Sequence, residues 1–407
     1  MWPAVFERMK ARSIGVLFLS VTICSVSLFG CIYNVRDIGF ADLAPHPYRL
    51  FCFIQDVTPQ NVVTGLKQIS YTAFLDSNIK VEIINIDRDK NHPALEYFNF
   101  REIESFPASV LRSPIGRSLV LPLSAPHESF DKTARSSFQN AISSPLREEI
   151  LDRIVKAYCI VLLIEGKDEA ENNRVHEIVV STKRKIEKIM GQLPKRIEEP
   201  PHIIVLPQKK ISDEKILLWS LGLDEDGSDI LHLAVLYGRG RRIGPLLTGE
   251  KITGDRLYAL LSLIGLSCDC GLDKKWMMGP LLPLRWDKKI QSDVVKFLGF
   301  DAENPMVKTE MSSIISLDLF RQTMDDKLRE SLGSILDEYS EDAFEFEAEP
   351  DSERVSPAKL RELTSSPTAL VKSDSQLKII LYASGILALL ILGGGLLILI
   401  RARRKLS

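Results

Sequence analysis

Cysteine is scarce in this chain: six among 407 residues, too few for a disulfide-stapled scaffold. Histidine is equally scarce. His46, His92, His127, His176, His202 and His232 are scattered, with no H-x-x-x-H or similar ligand spacing, so no histidine-based metal centre is indicated. There is no Ser-His-Asp order, no H-E-x-x-H and no G-x-S-x-G, and no spacing of carboxylates picks out an acid/base pair. Hence no catalytic residue and no cofactor is indicated. An excess of one charge is also missing. The net charge is −2 and no basic stripe is interleaved with aromatics, which argues against nucleic acid as a partner.

What the chain does have is apolar sequence, 45% of its residues, enough for two domains with their own cores. Its two longest apolar runs lie at the ends. Arg8, Lys10 and Arg12 precede an uncharged run from Ser13 to Gly30, a basic n-region followed by an h-region. The run closes in Leu28-Phe29-Gly30-Cys31, which resembles a bacterial lipoprotein signal. Phe29 departs from that pattern, where a small or β-branched residue is usual. The resemblance implies acylation of Cys31 and lipid as a partner. Ordinary cleavage and an uncleaved anchor stay open. In all three cases the chain after residue 31 is exported.

At the other end, residues 377–400 are expected to form a transmembrane helix. Ile379 to Ile400 contains no charged residue, and its 22 residues cover about 33 Å as a helix, enough for a bilayer core. Arg401, Arg403, Arg404 and Lys405 follow in a tail, 401–407, that the positive-inside rule keeps cytoplasmic. Both ends therefore place the middle outside the cytoplasm, in a periplasmic location. Residues 325–376 read as an acidic linker: from Asp325 to Asp351 there are eleven acids against two bases.

The folded region divides into 34–124, a connector at 125–150, and 151–300. In the first part Arg49–Gln55 is an apolar strand, Thr58–Ser77 a helix with Val62, Val63, Leu66, Ile69 and Ala73 on one face, and Val81–Ile86 a second strand. A short helix at Pro93–Phe100 and a hairpin, Ser109–Leu111 with Ser118–Leu121, complete it. This order, with Asp87 after the second strand and Ile103-Glu104-Ser105-Phe106-Pro107-Ala108 before the hairpin, resembles the thioredoxin-like fold. The resemblance implies a cis peptide at Pro107 and an α/β architecture with a mixed sheet flanked by helices. It also implies a C-x-x-C dithiol at the N-terminus of the first long helix. Here that place holds Asp56-Val57-Thr58-Pro59, so no disulfide exchange is expected from it.

The second part repeats the order: strand Ala157–Ile164, helix Ala170–Met190, strand Ile203–Leu206, helix Asp213–Leu221 capped by Ser212, hairpin Leu231–Tyr237 with Ile243–Leu247, and closing helix Asp255–Leu266. It reads as a second, diverged thioredoxin-like unit without a proline before its hairpin. Beyond it lies the one close cysteine pair, Cys268-Asp269-Cys270, which suits a strained disulfide or two thiolates on a soft metal, with Met277 and Met278 nearby. Arg239, Arg241 and Arg242 in the hairpin turn read as a solvated turn, or as a surface for an acidic partner. Trp276 to Trp286, apolar and Pro-rich, reads either as an exposed partner-binding segment or as a wrap buried on the second unit. The combined expectation is a membrane-tethered, non-catalytic interaction protein that meets another envelope or membrane protein. The alternative is a thiol-redox or soft-metal handling protein acting through Cys268 and Cys270.

Overall fold

The computed structural model describes residues 33–43, 47–99, 103, 105–193, 195–224, 229–266 and 279–316. Cys31, Cys268, Cys270, residues 276–278, both terminal apolar runs and the acidic segment 325–376 lie outside this set. Among the described residues no helix is long and apolar enough to cross a membrane.

A short helix, α1 (Val35–Phe40), precedes the first sheet. There β1 (Tyr48–Ile54) runs parallel to β2 (Ile79–Asn85) through the crossover helix α2 (Gln60–Phe74). After the one-turn α3 (Leu95–Asn99), β3 (Ala108–Arg112) returns antiparallel to β1, and β4 (Ser118–Leu121) pairs with β3, giving the order β2-β1-β3-β4. Alternation sorts the side chains. Leu50, Cys52 and Ile54 of β1 meet Val63, Leu66 and Ile69 of α2 on one face. Phe51 and Phe53 meet Tyr97, Phe98 and Phe106 on the other, with the Phe51 and Tyr97 rings stacked at 5.7 Å.

Residues 125–150 are not a bare connector. They carry α4 (Phe130–Ile142) and the start of α5 (Pro145–Ile154), capped by Ser129 and Ser144. Ala134, Phe138, Ala141 and Ile142 of α4 complete the core beside α2, so the first unit extends past Ser124.

The second sheet has the same order, β6-β5-β7-β8. Its strands are β5 (Ile160–Ile164), β6 (His202–Leu206), β7 (His232–Tyr237) and β8 (Arg241–Thr248), with the long helix α6 (Glu169–Met190) crossing from β5 to β6. Every residue of β5 is buried, because both faces are covered. Val161 and Leu163 face Val175, Val179 and Ile186 of α6 and Leu257, Leu260 and Leu261 of α8 (Gly254–Ile264). Ile160, Leu162 and Ile164 face Leu146 and Ile150 of α5 and Leu217 and Leu218 of α7 (Lys215–Ser220). A 3-10 turn over Gln208–Glu214 precedes α7, so Ser212 is not its cap. Two further helices, α9 (Lys288–Leu298) and α10 (Pro305–Ser316), follow. The two sheets, with helices on both sides of the second, are consistent with two thioredoxin-like units.

The units are not separate beads. Both belong to one compact body. Residues 279–286 form a strap between them. Tyr48 Oη donates to the Leu281 carbonyl (2.7 Å), Asn78 Nδ2 to that of Leu282 (2.7 Å), and the Trp286 N–H to that of Asp76 (2.5 Å). On the other side the Leu282 N–H donates to the Gly240 carbonyl (3.0 Å), and Leu282, Leu284 and Trp286 are buried in the second core. The described part of the Trp/Pro-rich segment is therefore internal. Trp219 of α7 enters the first unit's core beside Tyr48, ring centroids 6.1 Å apart. The hairpin arginines are internal too. Arg239 pairs with Glu303 and lies over Trp286, Arg241 is buried and donates to the Gly279 carbonyl, and Arg242 donates to the Leu221 carbonyl.

Although it precedes the first unit in sequence, α1 belongs to the second. Tyr33, Val35 and Ile38 join the α6/α8 core, and Phe40 reaches the opposite one. All six residues of α1 are buried, Arg36 and Asp37 included. Arg36 donates to the carbonyls of Ala157 (3.0 Å) and Val155 (2.5 Å), satisfying the end of α5. Asp37 accepts from Lys195 Nζ (2.8 Å). The helix slots beneath the β7–β8 turn because glycines meet there. A Cβ on Gly238 would lie 2.1 Å from the Gly39 carbonyl carbon, and Gly238 has φ +57°.

Candidate functional site

The end of the first sheet where β1 stops and α2 starts is the place a thioredoxin-like unit keeps its dithiol. The register puts Ala108 opposite Phe53, so the Phe106–Pro107 bond lies at this same end. That bond is cis. Around it the local sequence builds a polar network in place of thiols. The Asp56 N–H donates to Asp87 Oδ2 (2.8 Å). Asp56 Oδ1 accepts from Asn85 Nδ2 (2.9 Å) and Arg88 Nε (2.6 Å). The Gln55 N–H donates to Thr58 Oγ1 (2.9 Å), which closes the turn into α2. The hydrogen bonds from Asn85 and then Arg88 hold the Asp56 carboxyl below its ordinary pKa. This network fixes the loop that carries Val57, which is 82% exposed, an unusual degree for a large apolar side chain. Ile103, Phe98 and Phe106 are partly exposed beside Pro107.

Among the described residues the same corner of the second unit is also without a thiol. Asn172 caps the β5–α6 loop reciprocally, accepting from the Gly166 N–H (3.0 Å) and donating to the Gly166 carbonyl (3.0 Å). Asp168 caps α6. A Cβ on Gly166 would meet the Asp229 carbonyl oxygen at 2.6 Å, so this loop is pressed against residues 229–231. Leu231 stands where Pro107 stands in the first unit, and its neighbour Ile230 is 54% exposed.

Both described cysteines are inert by position. Cys52 lies inside β1 and Cys159 just before β5, each buried, and desolvation pushes both thiols well above the ordinary value. Among the described residues no three of His, Cys, Asp and Glu converge to hold a metal. A cleft of about 390 Å³ lies between α5 and α9, lined by Glu148, Asp152, Lys156, Asp293 and the apolar Leu151 and Phe297, with no Cys or His in its wall. The sequence singled out Pro107 and the missing dithiol. It named Asp56-Val57-Thr58-Pro59 at that place and Asp87 after the second strand, but neither the exposure of Val57 nor the pairing of Asp56 with Asn85 and Arg88, which emerges only when β1 and β2 are paired.

No known family model and no curated protein matches the chain. Among solved structures, the zinc-bound form of human ERp44 is similar over 55% of this chain and 53% of that chain, about half its length, at 14% identity and a TM-score of 0.20. The first two thioredoxin domains of Saccharomyces cerevisiae Eps1p are similar over 54% of this chain and 89% of that one, at 12% identity and a TM-score of 0.18. At such scores the description of the fold rests on strand order and register: twice over, a parallel pair joined by a helix, then an antiparallel hairpin on the same sheet.

Proposed function

We propose that this chain is a non-catalytic accessory protein, tethered to a membrane and presenting two thioredoxin-like units outside the cytoplasm to another envelope or membrane protein. One observation carries the reading. The corner that a redox enzyme of this fold uses keeps Pro107 and its apolar surround, while Asp56-Val57-Thr58-Pro59 stands at the dithiol's place, with Asp56 held by Arg88 and Val57 exposed to solvent. An ordered loop with an exposed apolar tip suits recognition, since ordering costs are met before the partner arrives. The tether follows from the basic-flanked apolar runs before Cys31 and after residue 376. Lipid holds the chain and a membrane protein receives the corner.

The test is photocrosslinking in intact membranes, with a photoreactive residue replacing Val57 and, separately, the exposed Lys67. Adducts to one membrane protein from position 57 and none from 67 support the reading. Repeated recovery of the protein without adducts from either position refutes it.

A further inference from the structure

Within the tethered reading, acylation of Cys31 or retention of the apolar run before it puts an anchor at or before Cys31, and Tyr33 is already part of the packed body. Tyr33 is 4% exposed, donates to Glu310 Oε2 (2.9 Å) and meets the Phe300 ring edge-on at 5.0 Å. Two residues of chain span at most about 7 Å. An anchor so close leaves no spacer, so the surface around Tyr33 must lie against the bilayer.

A charge feature marks the same surface. From Lys183 to Arg196, at the C-terminal end of α6 and just beyond, the chain carries six bases (Lys183, Arg184, Lys185, Lys188, Lys195, Arg196) against one acid, Glu187. Arg184, Lys185, Lys188 and Arg196 are exposed. Packing joins this segment to the Tyr33 side. Leu193 lies against Gly265, the next residue, Leu266, accepts the Val35 N–H at 2.9 Å, and Lys195 reaches both Asp37 and the Phe300 ring.

We propose that this face, the basic end of α6 together with the Tyr33 and α10 surface, rests on anionic lipid headgroups. Each base near such a surface strengthens attachment about fivefold. The orientation has a consequence for the first unit. It joins the second through the strap, α5 and α7, all on the face of the second sheet opposite Tyr33. Within the first unit, Val57 lies at the end of β1 away from Tyr48, where the strap binds. The Val57 corner thus points away from the bilayer that holds the chain, toward the membrane-distal part of a partner.

This inference rests on the tethered reading, and its test separates the two. The full chain is reconstituted in phosphatidylcholine vesicles with and without phosphatidylglycerol, and in detergent micelles. An impermeant amine-acetylating reagent then footprints the outward-facing molecules by mass spectrometry. Lys185 and Lys188 are expected to react at least about fivefold more slowly in phosphatidylglycerol vesicles than in micelles, with exposed Lys67 and Lys80 unchanged. Arg184→Glu with Lys188→Glu should restore the micelle rate at Lys185. Equal rates at Lys185 and Lys188 in vesicles and micelles, while the protein still floats with the vesicles, overturn the orientation and leave the tether standing. Failure to float overturns the tether, and the orientation with it.

Discussion

Arg147 offers the sharpest measure of how firmly the two units are joined. Its side chain is 2% exposed, and burial pulls its pKa down to about 10, leaving it charged at neutral pH. The guanidinium donates to the carbonyls of Asn140, Ala141 (2.8 Å) and Ser143 (2.8 Å) at the end of α4, to Ser144 Oγ (2.9 Å), and across to the strap carbonyl of Pro283 (3.0 Å). Replacing Arg147 by Met keeps most of the stem and removes the donors. The Ala141 and Pro283 carbonyls are buried, and each deserted acceptor costs about 1–3 kcal/mol. The others find water. Relief from burying a charge offsets part of the loss. The net expectation is about 2–4 kcal/mol, or a fall in Tm of about 3–7 °C for a body of this size. Arg147→Lys should recover only part, because one ammonium cannot span four carbonyls in a fork. The assay is thermal unfolding of the full chain in detergent by circular dichroism, with exposed Arg135→Met as control. Arg147→Met matching Arg135→Met would refute the clasp. Two resolved transitions in the unaltered protein would refute the single body.

Other outcomes follow from neighbouring features. Gly238→Ala should cost more than about 3 kcal/mol, since its Cβ meets Gly39 backbone, whereas Gly116→Ala (φ +85°, open space) should cost about 1–2 kcal/mol; equal losses in denaturant titration would mean α1 is not wedged there. Among the described residues neither His232 ring nitrogen, both buried, has a partner, and burial lowers its pKa, as it does for His202. Below about pH 6.5 the unfolded chain takes the proton first, so stability falls on acidification by at most about 1.4 kcal/mol per pH unit per histidine, until pH drops through the folded pKa. His232→Leu should lower that slope, and an unchanged slope in unfolding measured from pH 7 to 5 would reject the assignment. Cys52 and Cys159 should react with thiol reagents only after denaturation, and Cys268→Ser with Cys270→Ser should leave the Val57 crosslink intact; loss of the crosslink favours thiol or soft-metal chemistry instead. A tag at residue 200 should be open to external protease and one at residue 405 protected; the reverse pattern refutes the topology.

The strands were legible because short apolar runs with β-branched residues have few alternatives: RLFCFIQ and AYCIVLLI fall on β1 and β5 within three residues. Helix α2 was legible from its period. By contrast α4 (FDKTARSSFQNAI) has only Phe138 and Ile142 as large apolar residues on its buried face, the rest of which is small or polar (Thr133, Ala134, Ser137, Ala141), and this leaves a weak apolar signal in a polar stretch. The sequence left the strap open between an exposed segment and a buried wrap, and gave no sign of α1, for another reason. Their partners are more than 100 residues away, Tyr48 for Leu281 and Ala157 for Arg36, and no local pattern encodes them. The arginines of Gly238–Arg242 looked like a solvated turn, and only tertiary acceptors explain their burial. Of the candidate site, Pro107 and the missing dithiol stood in the sequence, while the Asp56–Arg88 pair required the β1–β2 register.

The bond from Tyr33 to Glu310 spans 277 positions. A chain threaded outward from its first residues would deliver Tyr33 early and Glu310 near the end. The apolar groups of α1 must therefore wait, while the strands that will enclose them emerge one after another. Closing so long a loop last is slow and leaves sticky surface exposed meanwhile.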